Sequence, residues 1–313
     1  MNMNEPWVVG YLPGKGRRIA IIAHMDEAYY WLVSVDDNGV ATFDGVYAWG
    51  LDQNELTKFI DYEELRSAPI VRNPNGEAIL TINIPELKAS LPVYSWKVLD
   101  MQHQRVGVQL TNEQAVFCRN ALSKNRSVIA INQCSVRRVQ DPAIGELVLG
   151  SPLDNRVGVA IILGLARHYA NLSPGKRPNL YFVARPREEC QDASTFLTID
   201  PIIDAHLVIV IDDPAPIWYP ILGGGPVVVW HPDRTPQRVM DIIVQLKQKR
   251  KQIFKAPYET FLTAVANDAG SKVPAILIGP TMLRYHSSEE KMAVADITDS
   301  VELIIRLIER IAE

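Results

Sequence analysis

The sequence predicts an α/β fold in which helices flank a mostly parallel central sheet. A small β-rich domain is expected to be inserted into the chain of this α/β domain. After residue 150, short runs of β-branched residues alternate with helical segments, which is the pattern of βαβ units. A similar buried run occupies residues 18–23. Between them the texture is rich in strands and turns. We therefore expect residues 1–45 and 148–313 to form one discontinuous α/β domain and residues 46–147 to form the insert.

The first strand is followed by a predicted hairpin. The turn Asp36-Asp37-Asn38-Gly39 separates two apolar-rich runs, and Asn-Gly is a strong hairpin signal. Within the insert, one short helix is predicted to start at the cap Thr111-Asn112, with Glu113 and Gln114 behind it. Strands of the insert are predicted over residues 79–84, 93–98 and 106–110.

The second half of the chain supplies most of the α/β domain. Residues 156–171 are apolar nearly all round, as in a buried helix. Thr235 and Pro236 predict the start of a second helix that runs to about residue 254. A last helix is predicted from about residue 298 to the end. Strands are predicted over residues 179–184, 206–211 and 274–278.

Composition and charge narrow the class of protein. The 313 residues are 47% hydrophobic and 22% charged, as in an ordinary globular protein. The formal net charge of -4 argues against a nucleic-acid partner, and no apolar run approaches the ~20 residues of a membrane-spanning helix. Three widely spaced cysteines do not indicate a disulfide framework. Since the first residues also lack a secretory signal, we expect a cytoplasmic protein.

Histidines and carboxylates follow the predicted strands at the ends where ligands bind in open α/β sheets. A further carboxylate stands at the entrance of the buried helix. Because the carboxyl ends of parallel strands share one edge, five distant segments are expected to meet there. The five segments are His24-Met25-Asp26, Asp154, Glu188-Glu189, Asp212-Asp213 and His286.

This mixture of imidazole and carboxylate suits two divalent ions of zinc, cobalt or manganese. Two ions held ~3.5–4 Å apart need a bridging carboxylate, and such a pair activates water and polarises a carbonyl. Asp26 is placed to accept the second ring N–H of a ligating His24. One of Glu188 and Glu189 would bind metal while the other acts as a general base, and spacing alone does not distinguish them.

Each motif alone also has a simpler structural interpretation. A histidine two residues before an aspartate is more often a hydrogen-bonded pair than a metal site, and adjacent acids are more often solvated turn residues. Asp154 could serve only as the N-cap of the buried helix. Spacing also leaves Asp212 and Asp213 as equal candidates for the ligand. The metal-site hypothesis therefore depends on all five segments meeting at one edge.

With these motifs in order, the chain resembles the M42 family of metallo-aminopeptidases, the glutamyl or tetrahedral aminopeptidases. The resemblance extends over nearly all of the chain from Ile19 onward, and it implies a zinc-peptidase-like α/β fold with an inserted β domain. The matching motifs are Ala23-His24-Met25-Asp26-Glu27, Leu153-Asp154-Asn155-Arg156-Val157-Gly158, Glu188-Glu189, Ile211-Asp212 and Arg284-Tyr285-His286-Ser287.

The resemblance also implies a role for each site residue. Asp154 would bridge the two ions, His24 and Asp212 would complete the ligands of one ion, and Glu189 with His286 would bind the other. Further residues would assist the reaction rather than bind metal. These are Glu188 as the general base, Asp26 as the residue that orients His24, and Asp268 as a substrate contact.

The function that the resemblance implies is removal of N-terminal residues from peptides by a homo-oligomeric enzyme, a dimer or larger. The alternatives are a metal-dependent deacylase or amide hydrolase on the same site, or an inactive scaffold with the same fold. The chain departs from the family pattern at its start, where only 23 residues precede His24. We therefore expect the sheet to lack an element or to cover its edge by association.

Overall fold

The computed structural model describes most of the α/β part of the chain and segments of the β-rich part. All structural statements below refer to these described residues: 8–25, 29–45, 71–72, 80–84, 89–93, 95–100, 105–124, 126, 128–132, 135–185, 204–212, 220–246, 250–256, 273–283 and 290–312.

The elements follow in chain order as strands β1 to β19 and helices α1 to α4. They are β1 Val8–Leu12, β2 Arg18–His24, β3 Tyr29–Val35, β4 Val40–Gly45, β5 Val71–Arg72, β6 Leu80–Ile84, β7 Ala89–Val93, β8 Ser95–Asp100, β9 Arg105–Gln109, α1 Asn112–Ser123, β10 Ile129–Asn132, β11 Ser135–Asp141, β12 Gly145–Ser151, α2 Arg156–Ala170, β13 Asn179–Arg185, β14 Leu207–Val210, β15 Val227–Trp230, α3 Gln237–Gln245, β16 Gln252–Lys255, β17 Ala275–Gly279, β18 Met282–Leu283, β19 Glu290–Ala293 and α4 Val294–Ala312.

A seven-stranded mixed sheet forms the centre of the α/β part, in the order β1-β13-β2-β14-β17-β15-β16. Strands β13, β2, β14 and β17 are parallel to one another, β1 runs antiparallel to β13, and β15 runs antiparallel to β17 but parallel to β16. Strands β2, β14 and β17 are buried along nearly their whole length. Such continuous apolar runs are typical of strands that are covered on both faces, as the sequence pattern predicts.

Three helices pack on one face of this sheet. Ile161 and Leu165 of α2, Ile243 of α3 and Leu307 of α4 lie in one hydrophobic cluster with Ile21 of β2. Alternate residues of the same strands face a second cluster on the opposite side of the sheet. The helices therefore cover one face of the sheet. The edge formed by the carboxyl ends of the parallel strands is where the residues that follow these strands lie. None of the described helices is long and apolar enough to cross a bilayer.

An eight-stranded sheet, in the order β5-β8-β9-β4-β3-β10-β6-β7, holds the predicted β-rich region. It includes the hairpin of β3 and β4, whose Gly39 turn has a φ of 80° as predicted for Asn-Gly. A third sheet joins β11 and β12 to β18 and β19 from the end of the chain. The two-domain division, with boundaries near residues 46 and 147, stays a prediction.

Two predicted elements differ from the structure. The helix predicted to run to residue 254 ends at Gln245, and Gln252–Lys255 forms strand β16 beside β15. Pairing with the sheet outweighs the local helical pattern there, and the Lys251 ammonium donates to the carbonyl of Leu246 at 2.6 Å near the end of the helix. Similarly, the strand predicted over residues 93–98 is divided between β7 and β8.

Helix α1 begins at the predicted cap, and the structure shows that the cap is a capping box. The Thr111 hydroxyl accepts from the Gln114 N–H at 3.2 Å, and the Gln114 side chain accepts from the Thr111 N–H at 3.0 Å. The helix buries Ala115 and Cys118 against the eight-stranded sheet. Cys118 is a free cysteine, and burial raises the pKa of its thiol to about 11.

Cys118 is therefore expected to resist alkylation in the folded protein. At pH 8 only about one thiol in a thousand would be the reactive thiolate, and labelling should accelerate about tenfold per pH unit towards pH 10. Iodoacetamide labelling followed by mass spectrometry of the Cys118 peptide measures this, with the urea-unfolded chain as the control. Equal labelling rates in the folded and unfolded protein at pH 8 would contradict the buried thiol.

A glycine-rich turn, residues 223–225, precedes β15 and is anchored by a buried carboxylate. The two oxygens of Asp296 in α4 accept from the N–H groups of Gly223 and Gly225, each at 2.8 Å. Gly225 has a φ of 89°, and a Cβ there would lie 2.5 Å from the Arg250 carbonyl oxygen. The segment is a structural turn, as predicted, because its N–H groups are already used by Asp296.

Replacing Asp296 with alanine should leave the buried Gly225 N–H without its acceptor. We expect the free energy of unfolding to fall by about 1–3 kcal/mol, measured by urea denaturation. Glu302→Ala in the same helix is the matched control, because exposed Glu302 pairs with Arg306 and an exposed pair of this spacing is worth about 0.5 kcal/mol or less. Equal losses in the two variants would contradict the anchoring role of Asp296.

Candidate metal centre

The candidate site lies at the carboxyl edge of the central sheet, where two neighbouring parallel strands end. Strand β2 ends at His24, and Arg185 at the end of β13 is its register partner on one side. On the other side, the Ile211 N–H donates to the Ile22 carbonyl at 2.8 Å. This bond keeps the chain beyond β14 alongside β2, so Asp212 follows directly beside His24.

Three predicted ligands meet there. The His24 Nε2 atom lies 3.0 Å from Asp154 Oδ1 and 3.6 Å from Asp212 Oδ1. One ligand atom from each of the three residues lies within 4.8 Å of the others. The His24 and Asp154 side chains are 2% and 5% exposed, and that of Asp212 is 14% exposed. An imidazole and two carboxylates are therefore concentrated in a largely water-free position.

Asp154 is not the N-cap of helix α2. The cap is Asn155, whose Oδ1 accepts from the Gly158 N–H at 2.9 Å. Asp154 instead points its carboxylate at His24, so the simpler interpretation of this acid as a helix cap is excluded. The peptide bond between Asp154 and Asn155 is cis.

Two side chains hold the segment that carries Asp154. Glu290 of β19 is 1% exposed, and its Oε2 accepts from the N–H of Leu153 and from that of Asp154 at 3.2 Å. From the opposite direction, Asn155 Nδ2 donates to the Ile211 carbonyl at 2.6 Å. The loop is thus tied both to the third sheet and to the strand end that precedes Asp212.

The donor set fits a divalent metal ion. Two carboxylates buried around one imidazole nitrogen place negative charge where desolvation is costly, and a bound cation offsets that cost. Imidazole with carboxylate is a donor set for zinc, cobalt or manganese, and it lacks the thiolates of a softer site. Three described residues suffice to hold one ion.

The remaining predicted site residues lie outside the described residues. Their roles therefore stay predictions. They are Asp26, Glu188, Glu189, Asp268 and His286. The neighbouring acid Asp213 is also outside, so the structure places Asp212 at the site without testing its rival.

Three buried polar residues at the site had no assigned role in the sequence interpretation. Asn155 and Glu290 act through the contacts described above. Arg185 is 1% exposed and adds a permanent positive charge next to His24. For Glu290 a signal was available, since it forms another acidic pair with Glu289 four residues after His286. The importance of Asn155 has no such local signature.

Two other histidines, His206 and His231, lie away from this cluster. His206 Nδ1 accepts from the Arg18 N–H at 3.1 Å, at the opposite end of β2 from His24. His231 Nδ1 accepts from the Asp233 N–H at 3.2 Å in the turn after β15. Among the described residues, His24 is therefore the histidine that joins a cluster of potential metal ligands.

Comparison with known proteins agrees with this architecture. No protein-family profile matches the chain. A curated protein of Acetivibrio thermocellus, described as a candidate aminopeptidase, is 24% identical over 317 residues, which covers 94% of this chain and 83% of that protein.

Solved structures match at lower identity but over almost the whole chain. The TET aminopeptidase of Thaumarchaeota archaeon SCGC AB-539-E09 has a TM-score of 0.66 at 15% identity, covering 97% of this chain and 85% of that one. The TET1 peptidase of Pyrococcus horikoshii, which can assemble into a tetrahedron or a large octahedral shell, has a TM-score of 0.59 at 15% identity, with coverage of 96% and 86%. A Thermotoga maritima protein named endoglucanase has a TM-score of 0.55 at 16% identity, with coverage of 97% and 84%.

The chain therefore has the fold of the TET aminopeptidases, and the resemblance to the M42 family predicted from its motifs is confirmed at this level. One fold supports many activities, and here it also occurs under the name endoglucanase. The function of this protein is therefore inferred from the residues of its site.

Proposed function

We propose that this protein is a di-metal aminopeptidase that hydrolyses N-terminal residues from peptides. The observation that carries the proposal is the meeting of His24, Asp154 and Asp212 at one sheet edge, with potential ligand atoms within 4.8 Å. These residues come from three distant parts of the sequence, and their imidazole and carboxylate groups are the types that bind zinc, cobalt or manganese. The likeness in fold to aminopeptidases and the relative from Acetivibrio thermocellus support the same activity.

In this proposal His24, Asp212 and Asp154 would hold one ion, and Glu189 and His286 would hold a second ion together with Asp154. Chain length supports the positions of the second pair. Glu189 is four residues beyond Arg185, the register partner of His24, which limits the distance between the Glu189 and Arg185 Cα atoms to about 14 Å. His286 is four residues before Glu290, whose carboxylate contacts the Asp154 backbone, which limits it to about 14 Å.

Each side chain then has a definite task in peptide hydrolysis. The pair of divalent ions, when bound, supplies a Lewis acid for the scissile carbonyl and for the attacking water. Glu188 accepts a proton from that water at its carboxylate and delivers it to the leaving amine nitrogen. Asp26 holds the His24 ring in one orientation by accepting from its other nitrogen. Asp268 contacts the substrate.

The proposal extends to metal identity, assembly and location. Zinc and cobalt, with manganese as a third candidate, suit the imidazole and carboxylate donors. A homo-oligomer is proposed by analogy with TET1, which can assemble into a tetrahedron or a large octahedral shell. The cytoplasmic location stays a prediction from the sequence. Side-chain specificity is left open, because the described residues at the site do not include a complete pocket wall.

Matched peptides test the proposed activity. Protein loaded with Zn²⁺ or Co²⁺ is incubated with a panel of free-amine peptides and the same peptides acetylated at the N-terminus, and products are followed by mass spectrometry. An aminopeptidase removes residues one at a time from the free-amine peptides only. Release of the acetyl group would identify a deacylase, and metal binding without any cleavage would identify an inactive scaffold. Either of these outcomes would overturn the proposal.

A further inference from the structure

One buried amide joins the two chain segments that carry the acids of the site. Asn155 is 3% exposed and immediately follows Asp154. Its Nδ2 donates at 2.6 Å to the carbonyl of Ile211, which immediately precedes Asp212. The carboxylates on either side of this bond both approach His24 Nε2, at 3.0 and 3.6 Å.

Capping of helix α2 does not account for this arrangement by itself. A helix N-cap needs only an oxygen that accepts from the first turn, and aspartate serves as well as asparagine. Here the Asn155 oxygen accepts from the Gly158 N–H, and the bond to Ile211 uses the amide protons in addition. A carboxylate in this position would keep the cap, lose the bond to Ile211 and add a further buried negative charge beside Asp154.

Gly158 is the residue that leaves room for this amide. A Cβ built on Gly158 would lie 2.1 Å from Asn155 Oδ1, far inside van der Waals contact. Glycine is otherwise unfavourable inside a helix, and its replacement by alanine ordinarily stabilises one. Gly164, in the same helix, shows the ordinary case, since a Cβ there meets nothing within 4 Å.

We infer that Asn155, with Gly158 leaving space for it, is a positioning residue that sets the spacing between the Asp154 and Asp212 carboxylates. Asn155 does not itself bind metal in this account. It acts by fixing two ligand-bearing segments, 56 residues apart in sequence, against each other. The inference rests on the proposed function in that both carboxylates are taken as metal ligands.

Cobalt binding tests the inference without any need for catalysis. Asn155→Asp and Gly158→Ala are compared with the wild-type protein and with Gly164→Ala as the matched control. The affinity for Co²⁺ is measured by competition with a chelator, and the visible absorption spectrum of the bound ion reports the geometry of its ligands. We expect both test variants to bind Co²⁺ about 10–100-fold more weakly and with a changed spectrum, and Gly164→Ala to match the wild type.

Thermal unfolding of the metal-free proteins shows whether each variant folds. Gly158→Ala changes no charge, and it decides the question if Asn155→Asp does not fold. Wild-type cobalt affinity and an unchanged spectrum in a folded Gly158→Ala variant would overturn the inference while leaving the proposed function intact. If the two test variants bind Co²⁺ more weakly as expected but the wild type cleaves no free-amine peptide, the proposed function alone would be overturned. Failure of the wild type to bind Co²⁺ would overturn both.

Discussion

Replacing Asp154 with asparagine is expected to abolish stoichiometric metal binding and to lower peptide hydrolysis by about a thousandfold or more. Asparagine keeps the size of the side chain but removes the charge that two cations would share. Loss of metal assistance is worth several kcal/mol of transition-state stabilisation, and each 1.4 kcal/mol changes the rate about tenfold. Metal content is measured by mass spectrometry of the dialysed protein, and hydrolysis is measured on free-amine peptides.

The thermal stability of this variant separates a metal site from an ordinary buried ion pair. If Asp154 only paired with His24, breaking the pair would destabilise the metal-free protein by about 3–5 kcal/mol. If Asp154 is a ligand, neutralising it relieves repulsion with Asp212, and the metal-free variant melts at or above the wild-type temperature. The stabilisation by added Zn²⁺, about 2.7 kcal/mol at a concentration of 100 times Kd, should then be absent from the variant. A destabilised variant that still gains stability from Zn²⁺ would contradict the bridging role.

Glu188→Gln is expected to lower kcat by about 10²–10⁴-fold while both ions remain bound. Glutamine has the shape of glutamate but does not accept a proton, so it removes general base catalysis without removing a ligand. The test combines steady-state kinetics with the metal-to-protein ratio of the purified variant.

Glu189→Gln is the matched control because the two acids are adjacent and chemically identical. In the proposed assignment, Glu189→Gln loses metal as well as activity, whereas Glu188→Gln keeps its metal. The opposite outcome would exchange the two roles, which spacing in the sequence leaves open. Full activity of Glu188→Gln would remove this residue from the mechanism.

The strands of the central sheet were predictable because their composition alone requires burial. Strands β2, β14 and β17 are continuous apolar runs, and such segments have few alternatives to the interior of a parallel sheet. The position of His24 and Asp212 follows from the same pattern, since parallel strands deliver the residues that follow them to one edge. Both observed positions agree with the prediction.

The end of helix α3 and the contacts of Glu290 and Asn155 depend on residues that are distant in sequence, and local sequence patterns do not predict such contacts. Helix α3 ends at Gln245, and Gln252–Lys255 pairs with β15 as a strand. The helical periodicity of the sequence contains no information about this pairing, so it could not predict where the helix ends. Glu290 reaches the backbone of Asp154 across 136 residues of sequence. Asn155 occupies an ordinary N-cap position, and only the distance to the Ile211 carbonyl distinguishes it from a simple cap.

The most direct test of the account is anomalous diffraction from crystals of the Zn²⁺-loaded protein. We expect two zinc peaks about 3.5–4 Å apart at the carboxyl ends of the parallel strands of the central sheet. Asp154 should lie between the two peaks, and His24 and Asp212 should be ligands of one of them. Glu189 and His286 should complete the ligands of the second ion, and the Glu188 carboxylate should lie close to the space between the two ions. A zinc peak elsewhere, or none beside His24, would contradict the di-metal aminopeptidase proposed here.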